Sequence, residues 1–222
     1  IAAGAITSVG GQPLDAFSAS MIVEGALQVT STSIAESASV MPGSVTFVAT
    51  FNKPLATSGL DFWDMPLVRA GSGSTYYPSS FNYDAATRTL TVSYGYYWEG
   101  GYQLTLIAGP TAFRDLAGNL LDGNADGVPG DSFVRNFAVD IDAAGPSALS
   151  LWPLGSSGSL AAQAFQSATW HAGDTDTYSL PLTAGQRVSA LLAAAGSAQG
   201  KVELVAPDGT TVVATDTADT AG

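Results

Sequence analysis

Residues 44–55 read Ser44-Val45-Thr46-Phe47-Val48-Ala49-Thr50-Phe51-Asn52-Lys53-Pro54-Leu55, and this stretch decides the fold class. Val45, Phe47, Ala49 and Phe51 occupy alternate positions with Thr46 and Thr50 between them, so an extended chain carries the apolar set on one face and the threonines on the other. Asn52-Lys53-Pro54 ends the run, because proline has no N–H to give to a ladder. The same two-residue period recurs at Leu90, Val92 and Tyr94, and at Tyr102, Leu104 and Leu106 after the Glu99-Gly100-Gly101 turn. It recurs again at Phe133, Phe137, Val139 and Ile141. Gly71-Ser72-Gly73-Ser74 reads as a loop and Asp84-Ala85-Ala86-Thr87 as a hairpin connection. Helical periodicity is hard to find anywhere, so the predicted fold class is all-β.

Past Asp142 the composition changes to Ala-Ala-Gly-Pro and then to Gly155-Ser156-Ser157-Gly158-Ser159, a small-residue stretch that separates two patterned regions. The second region alternates at Tyr178, Leu180 and Leu182, turns at Thr183-Ala184-Gly185-Gln186, and alternates again at Val188, Ala190 and Leu192. Val202 and Leu204 precede Ala206-Pro207-Asp208-Gly209, a tight-turn signal, and Val212 and Ala214 begin a further strand. The predicted organisation is two β-sandwich domains: an N-terminal extension or linker strand over residues 1–26, a first sandwich over 27–142, a linker over 143–160 and a second sandwich over 161–222. The stretch from Gly155 onward is shorter than the roughly 100 residues of a complete sandwich. We therefore expect it to be completed by further chain or by another molecule, since an unfinished sandwich leaves an open edge. Residues 1–26 are a candidate donor strand for head-to-tail association.

Composition narrows the function classes. The chain has 222 residues, 19 acidic against 7 basic, for a net charge of −12 at pH 7. A surface this poor in cations offers no footprint for a phosphate backbone, so nucleic acid and anionic membranes are poor partners. No apolar run approaches the roughly 18 residues of a membrane helix. Cysteine is absent, which removes disulfides, thiolate metal sites and cysteine nucleophiles. The acids are mostly aspartates, the shorter carboxylate favoured in turns and oxygen-ligand loops. An acidic, lysine-poor, cysteine-free chain suits an extracellular or bacterial cell-surface location, where a metal can replace a cross-link. The start, Ile-Ala-Ala-Gly-Ala-Ile, lacks a methionine and a basic region, so the chain reads as a piece of a longer one.

The sharpest local signal is Asp122-Gly123-Asn124-Ala125-Asp126-Gly127-Val128-Pro129-Gly130-Asp131. Oxygen side chains at positions one, three and five with glycine at six curl three hard ligands around one point, and Ca2+ is the natural occupant. Asp122, Asn124 and Asp126 supply side-chain oxygens, Val128 a carbonyl, and Asp131 closes the cage. Phe133 stands at the twelfth position, where an EF-hand carries a bidentate glutamate, so the loop belongs between strands instead. Asp115, just upstream, either contributes a ligand or caps the turn at Gly118-Asn119. Asp174 and Asp176 have a spacing compatible with ligation, but a pair of carboxylates reads first as a solvated turn.

The stretch from about Leu27 to Asp142, with the strand quoted above and Phe113-Arg114-Asp115-Leu116-Ala117-Gly118-Asn119 near its end, resembles bacterial Ig-like domains of large surface proteins. The stretch from about Ala161 carries Gly173-Asp174-Thr175-Asp176-Thr177-Tyr178-Ser179-Leu180 and Leu182-Thr183-Ala184-Gly185-Gln186, and it is similar to the first strands of the bacterial pre-peptidase C-terminal (PPC) domain. These resemblances imply a jelly-roll-like second sandwich and a modular, exported polypeptide whose units act as spacers, binding modules or assembly elements.

Catalytic constellations are thin. A serine triad would have to use His171, the only histidine, and no Gly-x-Ser-x-Gly elbow accompanies it. Zinc-protease chemistry needs two histidines on one helix. Asp61 and Asp64, beside Phe62, Trp63 and Met65, read as a hairpin tip. Alternation places Tyr94 and Tyr96 on one strand face and Tyr97 on the other, so at least one ring is expected at the surface among an otherwise packed tyrosine cluster. The sequence thus predicts a non-enzymatic, calcium-stiffened structural or adhesive module whose partners are neighbouring domains or copies of itself. The alternative is an accessory module of a secreted hydrolase that binds carbohydrate or protein.

Overall fold

The structure is a computed structural model describing residues 7, 9–12, 25–155, 161–167, 174–193 and 200–217. Its regular structure is all-β apart from one 3-10 turn, and the chain falls into two compact units, Ile1–Ser179 and Leu180–Gly222. Among the described residues no helix is long and apolar enough to cross a membrane.

The sandwich of the first unit is built from nine strands in two sheets. They are β1 (Val29–Thr32), β2 (Ala38–Val40), β3 (Gly43–Phe51), β4 (Leu67–Arg69), β5 (Thr75–Tyr76), β6 (Ser80–Asp84), β7 (Thr89–Tyr97), β8 (Gly100–Leu106) and β9 (Phe133–Val139). One sheet runs β1-β3-β7-β6 and the other β2-β9-β8-β4-β5. All neighbours are antiparallel except β2 and β9. The alternating residues of the sequence form the core between the sheets: Val45, Phe47, Ala49 and Phe51 from β3, Leu90, Val92 and Tyr94 from β7, Tyr102, Leu104 and Leu106 from β8, and Phe133, Phe137 and Val139 from β9 are all buried. Phe47 meets Phe133 of the facing sheet at 6.4 Å between ring centroids. Burying one such side chain contributes about 1.5–3 kcal/mol, against about 1 for a ladder hydrogen bond, so the apolar face sets the strand register. Ile141 lies beyond the end of β9 in a turn.

Two details depart from the sequence expectation. Residues 61–64 form a 3-10 turn and not a hairpin tip. Asp61 Oδ1 accepts from the Phe62 N–H at 2.5 Å, and Asp64 Oδ2 accepts from the Asp61 N–H at 2.8 Å, so both carboxylates are spent on capping. The second departure is in β7. Between the pairs Thr46–Ser93 and Ser44–Tyr96 the strand carries one extra residue, and this bulge reverses the parity of everything after it. Tyr94 and Tyr97 are therefore buried, while Tyr96 is turned out to solvent.

After β9 come four two-residue strands, β10 (Ser147–Ala148), β11 (Trp152–Pro153), β12 (Ala162–Gln163) and β13 (Tyr178–Ser179). β10 pairs parallel with β13, and β11 antiparallel with β12. In the second unit β14 (Lys201–Val205) and β15 (Val212–Thr217) form an antiparallel hairpin over the predicted Ala206–Gly209 turn. Asp208 Oδ1 accepts from the Thr210 and Thr211 N–H groups there, and its hydrogen bonds, led by that of the Thr211 hydroxyl, hold the carboxyl at about 2. Residues 186–193 form no strand, although Val188, Ala190 and Leu192 alternate. An alternating pattern sets which side a residue faces, but a strand also needs a ladder partner. His171 and most of residues 1–26 lie outside the described residues.

Candidate metal centres

The loop from Asp122 to Asp131 is mounted on the core before it is shaped by its own oxygens. Leu27 and Leu121 form a parallel bridge, both fully buried, and the Asp122 N–H donates to the Leu27 carbonyl at 2.8 Å. The neck is closed by Gly123 N–H to Asp131 O at 2.9 Å and Gly130 N–H to Leu121 O at 2.8 Å. At Gly123 the returning chain passes so close that an added Cβ would lie 2.2 Å from Phe133 N, so only glycine fits. Gly127 at φ 92° and Ala125 at φ 61° supply left-handed turns that wind the loop inward.

Within that frame the oxygens are partly spent. Asp122, 1% exposed, accepts from Asp126 N–H on Oδ1 at 3.1 Å, and from Gly127 N–H at 2.9 Å and the Gln28 side-chain amide at 2.8 Å on Oδ2. Asn124 Oδ1 also accepts from Asp126 N–H, at 3.0 Å. Asp126 Oδ1 accepts from Val128 N–H at 2.8 Å, and its Oδ2 from the Asn124 amide at 3.1 Å. Each carboxylate oxygen has about two lone pairs, so these bonds fill Oδ2 of Asp122 and leave one on Asn124 Oδ1 and one on each Asp126 oxygen, while the Ala125 N–H adds a further backbone donor to the Asp122 carboxylate. Ligand oxygens of Asp122, Asp126 and Asp131 lie within 4.8 Å of one another. The donor set is wholly oxygen, which fits a hard cation such as calcium. The Gln28 amide, followed by the backbone donors, outweighs burial and holds the Asp122 carboxyl below its ordinary range, in the charged form a cation requires.

Asp115 sits elsewhere. It accepts from Ala117 N–H at 3.0 Å, Asn119 N–H at 2.8 Å and the Asn119 amide at 2.9 Å, and pairs with Lys53 at 3.3 Å, capping the Gly118-Asn119 turn. Burial alone would raise its pKa, but the Asn119 and Lys53 donors together lower it.

A second acidic group was not legible as a unit in the sequence. Ligand oxygens of Glu99, Asp140, Asp174 and Asp176 also lie within 4.8 Å of one another. Glu99 is in the β7–β8 turn and Asp140 follows β9, while Asp174 and Asp176 precede β13. The β10–β13 pairing brings them together, with Thr177 N–H donating to Asp142 Oδ2 at 2.7 Å and Ser147 N–H to Thr177 O at 3.0 Å. Asp174 and Asp176 are half-buried, unlike the solvated turn expected for them. Burial first, then the neighbouring Asp142 and Asp174, raise the Asp140 pKa. Burial and the charges of Asp176, Glu99, Asp142 and Asp174 push the Tyr178 hydroxyl up to about 12. The sequence signal that pointed here was the Asp174-Thr175-Asp176 spacing; nothing local marked Glu99 or Asp140.

No protein-family model matches the chain, and no curated protein matches it. Among solved structures it is similar to the N-terminal part of the bacterial S-layer protein SbsC, at 18% identity and TM-score 0.37, over 57% of this chain and 26% of that one. It is also similar to SbsC domains 1-6 (18% identity, TM-score 0.35, 51% of this chain and 13% of that one) and to SbsC residues 31-844 (18% identity, TM-score 0.36, 59% and 16%). The chain thus spans between 13% and 26% of the lengths of these structures.

Proposed function

We propose that the chain is a non-catalytic structural and adhesive module of a bacterial cell-surface or secreted protein, stiffened by calcium in the Asp122–Asp131 loop. One observation carries the reading: three carboxylates converge within 4.8 Å on a loop tied to the core at its neck. Three like charges so close repel, and a divalent cation turns that repulsion into cohesion. Asp122 Oδ1, Asn124 Oδ1, Asp126, the Val128 carbonyl and Asp131 are the ligands we assign. The acidic, cysteine-free composition supports an exported location, and the Ig-like and PPC resemblances support a place in a longer modular chain.

Extracellular modules of this kind bind calcium at about 10⁻⁴ to 10⁻³ M, so tenfold excess adds about 1.4 kcal/mol of stability. The test is a calorimetric titration of calcium into chelator-stripped protein with parallel thermal melts. Saturable heat and a rise in Tm, both lost in the D122N/D126N double variant, are expected. A flat titration and an unmoved Tm at about 10 mM calcium sink the proposal. Head-to-tail assembly is a separate proposal, and a strictly monomeric species by light scattering at all concentrations would remove it.

A further inference from the structure

The chain enters the first sandwich through residues 25–28, just ahead of β1, and two separate sets of groups hold this strap. One set follows the end of β3. The Asn52 N–H donates to the Gln28 carbonyl at 3.0 Å, its side-chain amide donates to the Ala26 carbonyl at 3.0 Å, and its Oδ1 accepts from the Gln28 N–H at 2.8 Å. Lys53 Nζ adds a bond to the Gly25 carbonyl. The other set is the oxygen loop itself. The Asp122 N–H donates to the Leu27 carbonyl at 2.8 Å, and Asp122 Oδ2 accepts from the Gln28 side-chain amide at 2.8 Å.

Asp122 is therefore both a wall of the loop and a hook for the strap. Its oxygens lie within 4.8 Å of those of Asp126 and Asp131, and with no cation between them the repulsion falls on the residue that holds residues 27 and 28. A strap that orients Asp122 raises the loop's affinity for a cation. Linkage makes the effect mutual, so a cation tightens the strap by the same factor. Among the described residues the Asn52 side chain bonds only to the strap, so any effect it has on the ion passes through residues 26–28.

We propose that the loop is a latch: calcium bound there fastens residues 25–28 to the sandwich and so fixes the chain that enters it, with Asn52 a positioning residue that reaches the ion through Gln28. The latch rests on the calcium reading above and goes beyond it, giving the ion a mechanical effect on residues that are not its ligands. An outer-shell contact of this kind is worth about tenfold in affinity. Calcium should then slow opening of the strap about tenfold and no further, because a strap that opens alone leaves the ion bound, only more weakly. Amides exposed only by global unfolding keep slowing in proportion to calcium, since unfolding abolishes the site.

The test is hydrogen exchange on the 222-residue chain, resolved by NMR in chelator and across a calcium series, with calorimetry on the same samples. The Gln28, Asn52 and Asp122 N–H groups report the strap, and those of the buried strand residues Val92 and Leu104 report the whole fold. Strap amides should slow about tenfold and then level off while the core amides continue to slow. Asn52→Ala should weaken calcium binding about fivefold, and adding it to Gln28→Ala should cost little more than Gln28→Ala alone, since both act through the strap. Calcium heat with strap amides unmoved overturns the latch and leaves the calcium reading standing. Strap amides that slow in step with Val92 and Leu104 overturn it too, as does an Asn52→Ala effect that adds in full to that of Gln28→Ala. A flat titration removes the calcium reading and the latch together. The exchange measurement on the wild type decides the matter even where Asn52→Ala fails to fold.

Discussion

The side-chain amide of Gln28 donates to Asp122 Oδ2 at 2.8 Å across 94 positions of sequence, tying the segment before β1 to the candidate calcium loop. This bond consumes lone-pair capacity on Oδ2 and fixes the orientation of the carboxylate. Removing an outer-shell partner of a metal ligand commonly lowers affinity 10–100-fold. Gln28→Ala should weaken calcium binding by about tenfold with little change in the apo fold, read by titration calorimetry. An unchanged affinity would mean that the loop positions Asp122 without it.

Gly123 has no room for a methyl group, with Phe133 N and Ser132 C both 2.2 Å from an added Cβ. Both are backbone atoms, so the neck of the loop must open. Gly123→Ala should cost about 1–3 kcal/mol, measured by denaturant unfolding, and should weaken calcium binding with it.

The buried Tyr94 hydroxyl donates to the Met65 carbonyl at 2.8 Å, linking β7 to the chain entering β4 of the opposite sheet. Burial raises its pKa well above the ordinary 10.0, so it stays a donor through mildly alkaline pH. Tyr94→Phe keeps the ring but strands that carbonyl, at about 1–3 kcal/mol in unfolding free energy. Tyr96→Phe, on the exposed side of the same strand, should be near neutral.

Asp115 gives a pH dependence of known sign. Its folded pKa lies below the ordinary 3.8, held there by Asn119 and Lys53 against burial. A depressed carboxyl contributes stability above its unfolded pKa and loses it as pH falls through the folded one. Melts of the wild type should therefore drop through an acid limb below about pH 4 that is shallower in Asp115→Asn. Parallel curves would contradict the assignment.

In the second acidic group, Asp140→Asn removes one of several crowded like charges while keeping the oxygen that accepts from Asp142 N–H at 3.1 Å. In chelator the variant should gain about 0.5 kcal/mol, and in calcium it should lose any stabilisation this group provides. Melts of both proteins in both conditions measure the difference, and a variant less stable in chelator refutes the crowding argument.

Residues whose roles follow from near neighbours were legible from the chain alone. Val45 to Phe51, Leu90 to Tyr94 and Tyr102 to Leu106 announce buried strand faces because a side chain's side alternates with each residue, and Asp122, Asn124 and Asp126 announce a curled oxygen loop for the same local reason. What the sequence could not reveal depends on partners far away along the chain. The bulge that turns Tyr96 outward and Tyr97 inward arises from pairing with Ser44, some fifty positions earlier. Gln28 reaches Asp122, and Glu99 and Asp140 reach Asp174 and Asp176, only because strand pairing closes those loops. Periodicity fixes which face a side chain takes within one strand; register between strands, set by burial of whole faces, decides which distant groups meet.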